Sequence, residues 1–161
     1  MAILKKLKEM LEEAKVSFEI YEHSLAYTAQ EIAASQHIPG NELANVVILE
    51  VDGELAMAVI AGNHKISLDT ARASLGANRV RLAREDEFTE HFPDCEAGAM
   101  PPFGNLFGLR VIVDPALAKD EFIYFNAGNH VQTMRLRYQD FLALVKPRVV
   151  QLVETPRRKA A

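Results

Sequence analysis

The chain has 161 residues, of which 49% are hydrophobic and 25% are charged, and its formal net charge is −4. This length and composition are typical of one globular domain with its own core, and they argue against a disordered or fibrous protein. The negative charge argues against a protein that holds nucleic acid mainly through a large positive field, and the single cysteine, Cys95, excludes an internal disulfide.

The N-terminal part of the chain shows helical patterns around one short strand pattern. Apolar residues recur at helical spacing over residues 2–15, which predicts an amphipathic helix, and a strand is predicted over 16–21. Thr28, with Glu31 three residues later, is the arrangement that caps a helix start and predicts a helix over 29–37. Charged residues interrupt the first apolar run, so we expect a cytoplasmic protein without a signal peptide or membrane contact.

The strongest local prediction is a β-hairpin over residues 45–61. Two apolar, β-branched runs are joined by Asp52 and Gly53, a pair that readily takes the positive φ angles of a tight turn. Both runs are apolar at nearly every position, which predicts central strands covered on two faces. Three further elements are predicted before residue 93: a helix ended by Gly76, a strand over 79–83 and a helix over 85–92.

The C-terminal part of the chain alternates strand and helix patterns. The predicted elements are strands over 108–114, 121–127 and 130–137, a helix over 138–145 and a last strand over 148–153, with a turn or short helix over 115–120. Helices come between some strands while hairpins join others. The predicted fold over residues 1–161 is therefore a single compact α+β domain, a mixed sheet with surrounding helices.

The residues around the cysteine do not predict metal or nucleophilic chemistry. His91 and Cys95 have i, i+4 spacing, but Pro93 lies between them and would break the helix that this spacing needs. Asp94 and Glu96 flank the cysteine and disfavour a catalytic thiolate, so a buried or half-buried structural cysteine is predicted. The sequence has no GxSxG, Walker or GxGxxG segment, and no metal or other cofactor is predicted.

The loop CEAGAMPPFGNLFG, residues 95–108, is a candidate site without an obvious nucleophile. Its glycines let the backbone approach a ligand closely, and its two adjacent prolines stiffen it. Main-chain amides of such a loop can hold a ribose, a carbonyl oxygen or a developing oxyanion. The alternative is a structural turn whose Phe103 and Phe107 are packed into the core.

The segment FNAGNH, residues 125–130, is a second candidate, a polar turn between two predicted strands. The histidine, His130, or an asparagine, Asn126 or Asn129, could point from this turn into a cleft. The alternative is an ordinary hairpin turn with an exposed histidine.

Three segments, in this order and spacing, resemble the YbaK/prolyl-tRNA synthetase-associated family of aminoacyl-tRNA editing deacylases. They are EHSLAYTAQEIAASQHIPGNELAN, CEAGAMPPFGNLFGLRVIVD and FNAGNHVQTMRLRYQDFLAL. The most specific mark is the GxxPPFG loop, residues 98–104, supported by the FNAG turn. The likeness covers about residues 16–153, the expected core, and residues 154–161 are expected to form a flexible tail.

The resemblance implies a YbaK-type domain that hydrolyses, in trans, the ester between a wrong amino acid and the 3′-terminal ribose of a tRNA, commonly tRNA for proline. The implied partner is the acceptor end of aminoacyl-tRNA, and no DNA binding is expected. The residues that the resemblance assigns to the site are Thr28, Gly98, Met100, Pro101, Pro102, Phe103, Gly104, Asn126, Gly128 and His130. Because the ester is already activated, a positioned water, an oxyanion site and a neighbouring ribose hydroxyl can suffice.

One position departs from the family pattern. Most active members carry a lysine at the start of the central strand, and here that position holds Asn45, which we group with Gly98 and Gly104 as the catalytic positions. Asparagine keeps hydrogen-bonding ability but loses the charge and much of the reach. Lys65, at the end of the partner strand, is a candidate replacement cation, with a surface lysine as the alternative. Two functions follow: an active deacylase, or an impaired homologue that binds a nucleotide, an aminoacyl analogue or a protein.

Overall fold

The computed structural model describes residues 2–22, 40–92, 95–96 and 98–154. The predicted helix over 29–37, Thr28 and the predicted tail beyond residue 154 lie outside the described residues. Where the chain is described, no helix is long and apolar enough to cross a membrane.

Helices and strands follow the predicted order. In the part of the chain that the structure describes, the helices are α1 (Ala2–Glu13), α2 (Leu68–Leu75), α3 (Glu85–Phe88) and α4 (Tyr138–Val145). The strands of the same part are β1 (Phe18–Glu22), β2 (Ala44–Val51), β3 (Glu54–Ala61), β4 (Val80–Leu82), β5 (Arg110–Val113), β6 (Phe122–Asn126), β7 (Gln132–Arg137) and β8 (Arg148–Val149). Short 3-10 turns lie at Gly40–Glu42, Thr89–His91, Gly104–Phe107 and Pro115–Lys119.

The described strands form two sheets rather than the one sheet predicted. Three strands pair in the order β1-β7-β6, all antiparallel, and five pair in the order β4-β2-β3-β5-β8, with β5 parallel to both of its neighbours. A parallel bridge between Leu43 and Tyr124 brings the start of β2 beside β6. The α+β class is confirmed, and this bridge lets both sheets contribute to one region of the surface.

The central hairpin is confirmed in detail. β2 and β3 pair without a gap from Ala44 with Ala61 to Val51 with Glu54, and Asp52 and Gly53 both have positive φ, 48° and 90°. One face of the hairpin packs into the larger hydrophobic cluster and the other face into a second cluster that includes α2. Two covered faces explain why both strands are apolar at nearly every position.

Several predicted elements are shorter than expected, and the helix over 85–92 and the strand over 148–153 are shortened most. The helix predicted over 85–92 is one α-helical turn, α3, followed by a 3-10 turn. The strand predicted over 148–153 ends at Val149 because the buried Asp114 carboxylate accepts hydrogen bonds from the amides of Leu152 (2.7 Å) and Val153 (3.2 Å). Those amides are thus bound by a side chain instead of a neighbouring strand.

Candidate active site

The glycine-proline loop and the FNAG turn lie against each other. The Gly128 amide donates to the Ala99 carbonyl (2.9 Å), and the Gly128 carbonyl accepts from the Glu96 amide (2.8 Å). Gly128 has a φ of 96°, a left-handed conformation that favours glycine. The two segments that the sequence singled out are therefore held together through their backbones, and the amides of Gly128 and Ala99 are committed to internal bonds.

Gly98 and His130 face each other where these segments meet. Gly98 is exposed with a φ of 79°, and a Cβ at this position would lie 3.7 Å from His130 Cε1. The imidazole is only 6% exposed, so the alternative of an exposed turn histidine is wrong. Its Nε2 lies 3.9 Å from the Glu96 carboxylate, a group that the sequence indicates only as an acidic neighbour of Cys95.

The side chains at the centre of the loop point into the protein. Met100, Pro101, Pro102 and Phe103 are all buried, and the Phe103 ring centroid lies 5.4 Å from that of Phe125. The alternative in which Phe103 is packed into the core is thus correct. A contact between this stretch and a ligand would have to use the main chain, and the role of these residues in binding remains a prediction.

Gly104 is required by packing. A Cβ at this position would lie 2.6 Å from Val111 Cγ2 and 2.9 Å from the Leu109 carbonyl oxygen. Distances below 3.0 Å do not occur for real Cβ atoms, so any side chain would displace the loop from β5. This requirement is independent of the catalytic role predicted for Gly104, which stays a prediction.

Asn126 and Asn45 lie near each other where the two sheets meet. Each lies two residues beyond the parallel bridge of Leu43 with Tyr124, and residues two apart in a strand share a face. Asn45 is half-buried, and Asn126 Oδ1 is buried with no hydrogen-bond partner among the described residues. A buried acceptor without a partner costs about 1–3 kcal/mol, and it is the kind of group that a bound ligand satisfies.

Lys65 lies in a different depression. It is exposed and lines a cavity of about 570 Å³ beside Asp114 and Lys119, whose described lining includes no residue of the loop or the turn. Its predicted role as a replacement cation stays untested. Cys95 is half-buried against the core, as expected of a structural cysteine, and the described part of the chain contains no group of three or more His, Cys, Asp or Glu placed to hold a metal ion.

Comparison with known proteins finds a matching family and similar relatives. A family model described as the aminoacyl-tRNA editing domain matches residues 23–144. The chain is 25% identical over 156 residues to the multifunctional Ser/Thr-tRNA deacylase ProXp-y of Escherichia coli (strain K12), covering 93% of this chain and 92% of that protein. It is 25% identical over 142 residues to the prolyl-tRNA editing protein ProX of Acetoanaerobium sticklandii, covering 84% and 86%.

A solved structure shares the fold. A crystal structure of a protein proposed to be a trans-editing enzyme for prolyl tRNA synthetase superimposes with a TM-score of 0.80 at 19% identity, over 96% of this chain and 99% of that chain.

Proposed function

The chain belongs to the aminoacyl-tRNA editing domain family, and we propose that it hydrolyses, in trans, the ester that joins a wrong amino acid to the 3′-terminal ribose of a tRNA. The observation that carries the proposal is the contact between the two family segments. At this contact Gly98 faces His130, and the backbone of Gly128 is hydrogen-bonded to the backbones of Glu96 and Ala99.

The site suits a substrate whose ester is already chemically activated. The exposed Gly98 lets the terminal ribose approach the loop backbone beside His130. Asn126 Oδ1 supplies a buried acceptor for a ribose hydroxyl or the amino group of the substrate. Asn45, on the neighbouring strand, can hydrogen-bond the tRNA end but cannot offer a charge. Hydrolysis then depends on holding the ester and one water in a reactive geometry.

The carrier tRNA in this proposal is tRNA for proline, loaded with the wrong amino acid. The support is that a relative is named as a prolyl-tRNA editing protein. A second relative, named as a Ser/Thr-tRNA deacylase, supports deacylation but not this choice of tRNA. Selection of the amino acid would come from the volume of the pocket, where one methylene changes binding by about 1–3 kcal/mol. Discrimination by size is therefore expected to be incomplete.

The test is deacylation of a panel of mischarged tRNAs by the purified chain. We expect faster loss of the amino acid than in buffer for at least one mischarged tRNA for proline. His130→Gln should lower that rate, whereas His64→Gln is the matched control, because His64 is exposed and lines the separate cavity. No hydrolysis above background with any tRNA would overturn the proposal.

Asn45 allows a second outcome, in which the chain is an impaired homologue that binds its ligand without turnover. Asn45→Lys distinguishes the two functions, because it restores the charge and reach of the family lysine. A large gain in hydrolysis, starting from an undetectable rate, would indicate a binding module whose chemistry had lapsed. A measurable rate for the unmodified chain favours the deacylase whatever the lysine adds.

A further inference from the structure

The outer face of the three-stranded sheet carries aromatic and arginine side chains in register. On the inner face, alternate residues of β1, β7 and β6 pack into the core. On the outer face, Arg137 pairs with Phe122, Arg135 lies between Glu19 and Tyr124, and Thr133 lies between Tyr21 and Asn126. We name the residues Tyr21, Phe122, Tyr124, Arg135 and Arg137 the arginine-aromatic face.

The side chains of this face stack on one another. The Arg135 guanidinium carbon lies 4.4 Å from the centroid of the Phe122 ring, and that of Arg137 lies 5.7 Å from the same centroid. The rings of Tyr21 and Tyr124 are 6.1 Å apart and tilted by 36°. None of the five residues is buried, and a shallow depression of about 130 Å³ lies between β1 and the two arginines.

The two arginines are available for an anion. Arg135 pairs with Glu19 at 3.1 Å and Arg137 with Glu121 at 3.7 Å, and both carboxylates are more than half exposed. Arg137 is 60% exposed and Arg135 is 27% exposed, so both ion pairs lie at the surface. Surface ion pairs contribute about 0–1 kcal/mol, so a phosphate can replace the carboxylate at little cost. A guanidinium stacked on a ring also keeps its planar fork of donors, which matches phosphate oxygens.

The arginine-aromatic face leads into the candidate active site. Exposure falls along β7 from Arg137, which is 60% exposed, to Thr133, which is fully buried. On β6 the same face ends at Asn126, immediately before the FNAG turn reaches Gly128. The distance from Phe122 to Asn126 is about 13 Å at about 3.3 Å per strand residue. A flexible ligand whose end lies at the FNAG turn would therefore extend over this face.

We propose that the arginine-aromatic face binds the unpaired 3′ nucleotides of the tRNA, with the bases stacked on Tyr21 and Tyr124 and the phosphates held by Arg135 and Arg137. Aromatic side chains and guanidinium planes on an exposed sheet are the usual platform for single-stranded RNA. The inference rests on the proposed function, which sets the terminal ribose at the FNAG turn. It adds the path by which the preceding nucleotides reach that ribose.

The test measures binding of an uncharged RNA by fluorescence anisotropy. The probe is a labelled acceptor-stem hairpin ending in the unpaired nucleotides CCA, compared with the same hairpin cut back to a blunt end. We expect Arg135→Gln and Tyr124→Ala each to weaken binding of the overhang hairpin roughly fivefold or more. Glu19→Gln should tighten it about twofold, because a carboxylate beside the phosphate path is removed. Arg148→Gln, an exposed arginine on β8 in the other sheet, is the matched control.

Each outcome of the binding experiment either supports or overturns the inference. Unchanged binding in both Arg135→Gln and Tyr124→Ala overturns it, and so does equal weakening for the blunt hairpin, which would indicate a duplex-binding surface. Because the RNA carries no amino acid, the result does not depend on hydrolysis. A chain that binds as expected but hydrolyses nothing contradicts only the deacylase. A chain that hydrolyses its substrate with the same KM after Arg135→Gln contradicts only this inference. Thermal unfolding of each variant confirms that it is folded.

Discussion

A methyl group at position 104 tests how the glycine-proline loop is seated on the sheet. In Gly104→Ala the new Cβ would lie 2.6 Å from Val111 Cγ2 and 2.9 Å from the Leu109 carbonyl oxygen. Val111 is 6% exposed and its strand is paired with β3, while the second neighbour is backbone. Neither can move away without shifting β5, so the loop itself has to move.

The expected loss of stability follows from these contacts. Overpacking by one methyl group costs about 1–3 kcal/mol, and the backbone neighbour favours the upper half of that range. Alanine also restricts the unfolded chain, which offsets about 0.4–1 kcal/mol. The net loss is then about 1–2.5 kcal/mol, or a Tm lower by about 2–10 °C at about 2–4 °C per kcal/mol for this chain length.

Urea and thermal unfolding followed by circular dichroism measure this loss. The matched variant is Val111→Ala, alone and combined with Gly104→Ala, because it removes the side-chain neighbour while the Leu109 carbonyl stays. We expect the double variant to lose less than the sum of the two single losses, by about 0.5–1 kcal/mol. A Gly104→Ala protein as stable as the original chain, or strictly additive losses, would refute the packing argument.

Three further predictions concern the site, the core and the dependence of stability on pH. Gly98→Ala should cost about 1–2 kcal/mol through its φ of 79° and should lower deacylation at least tenfold, because the methyl group enters the gap before His130; an unchanged rate in the mischarged-tRNA assay contradicts the site. Asp114→Asn should lower the free energy of unfolding in urea by about 2–4 kcal/mol, since the carboxylate accepts three backbone amides; a loss below 1 kcal/mol would contradict this. The hydrogen bond from Arg81, and then that from a backbone amide, lowers the pKa of Glu87 from 4.5 to about 2. Its stabilising contribution is therefore present above about pH 4.5 and is lost as the pH falls through about 2, so the stability difference between the original chain and Glu87→Gln should be largest at pH 7 and should vanish below pH 2. A difference that does not vary with pH would exclude the ion pair as its cause.

Local elements were predictable because their causes lie within a few residues. Asp52 and Gly53 specify the hairpin turn by themselves, and Gly76, with a φ of 63°, ends α2 where the pattern predicted. The family and the α+β class were also predictable, because the loop and turn motifs keep their order and spacing.

Other features depend on residues that are distant in the sequence. The bridge of Leu43 with Tyr124, which brings the two sheets together, connects residues far apart in the sequence, and the early end of β8 follows from Asp114. The contact of Glu96 with His130 likewise joins two segments that no periodicity connects. Burial of the loop side chains was left open between two alternatives, because only the packing against Phe125 decides it.

The paired hydrogen bonds of Gly128 with Glu96 and Ala99 also set a rule for redesigning specificity. Loops that are hydrogen-bonded through their backbones behave as one structural unit, because a change of length or conformation in either loop shifts the other. Transplanting the glycine-proline loop of a relative with a different substrate would therefore require its turn to be transplanted as well. A chimera that carries both segments should inherit the donor's substrate preference, whereas one that carries a single segment should lose the alignment of Gly98 with His130.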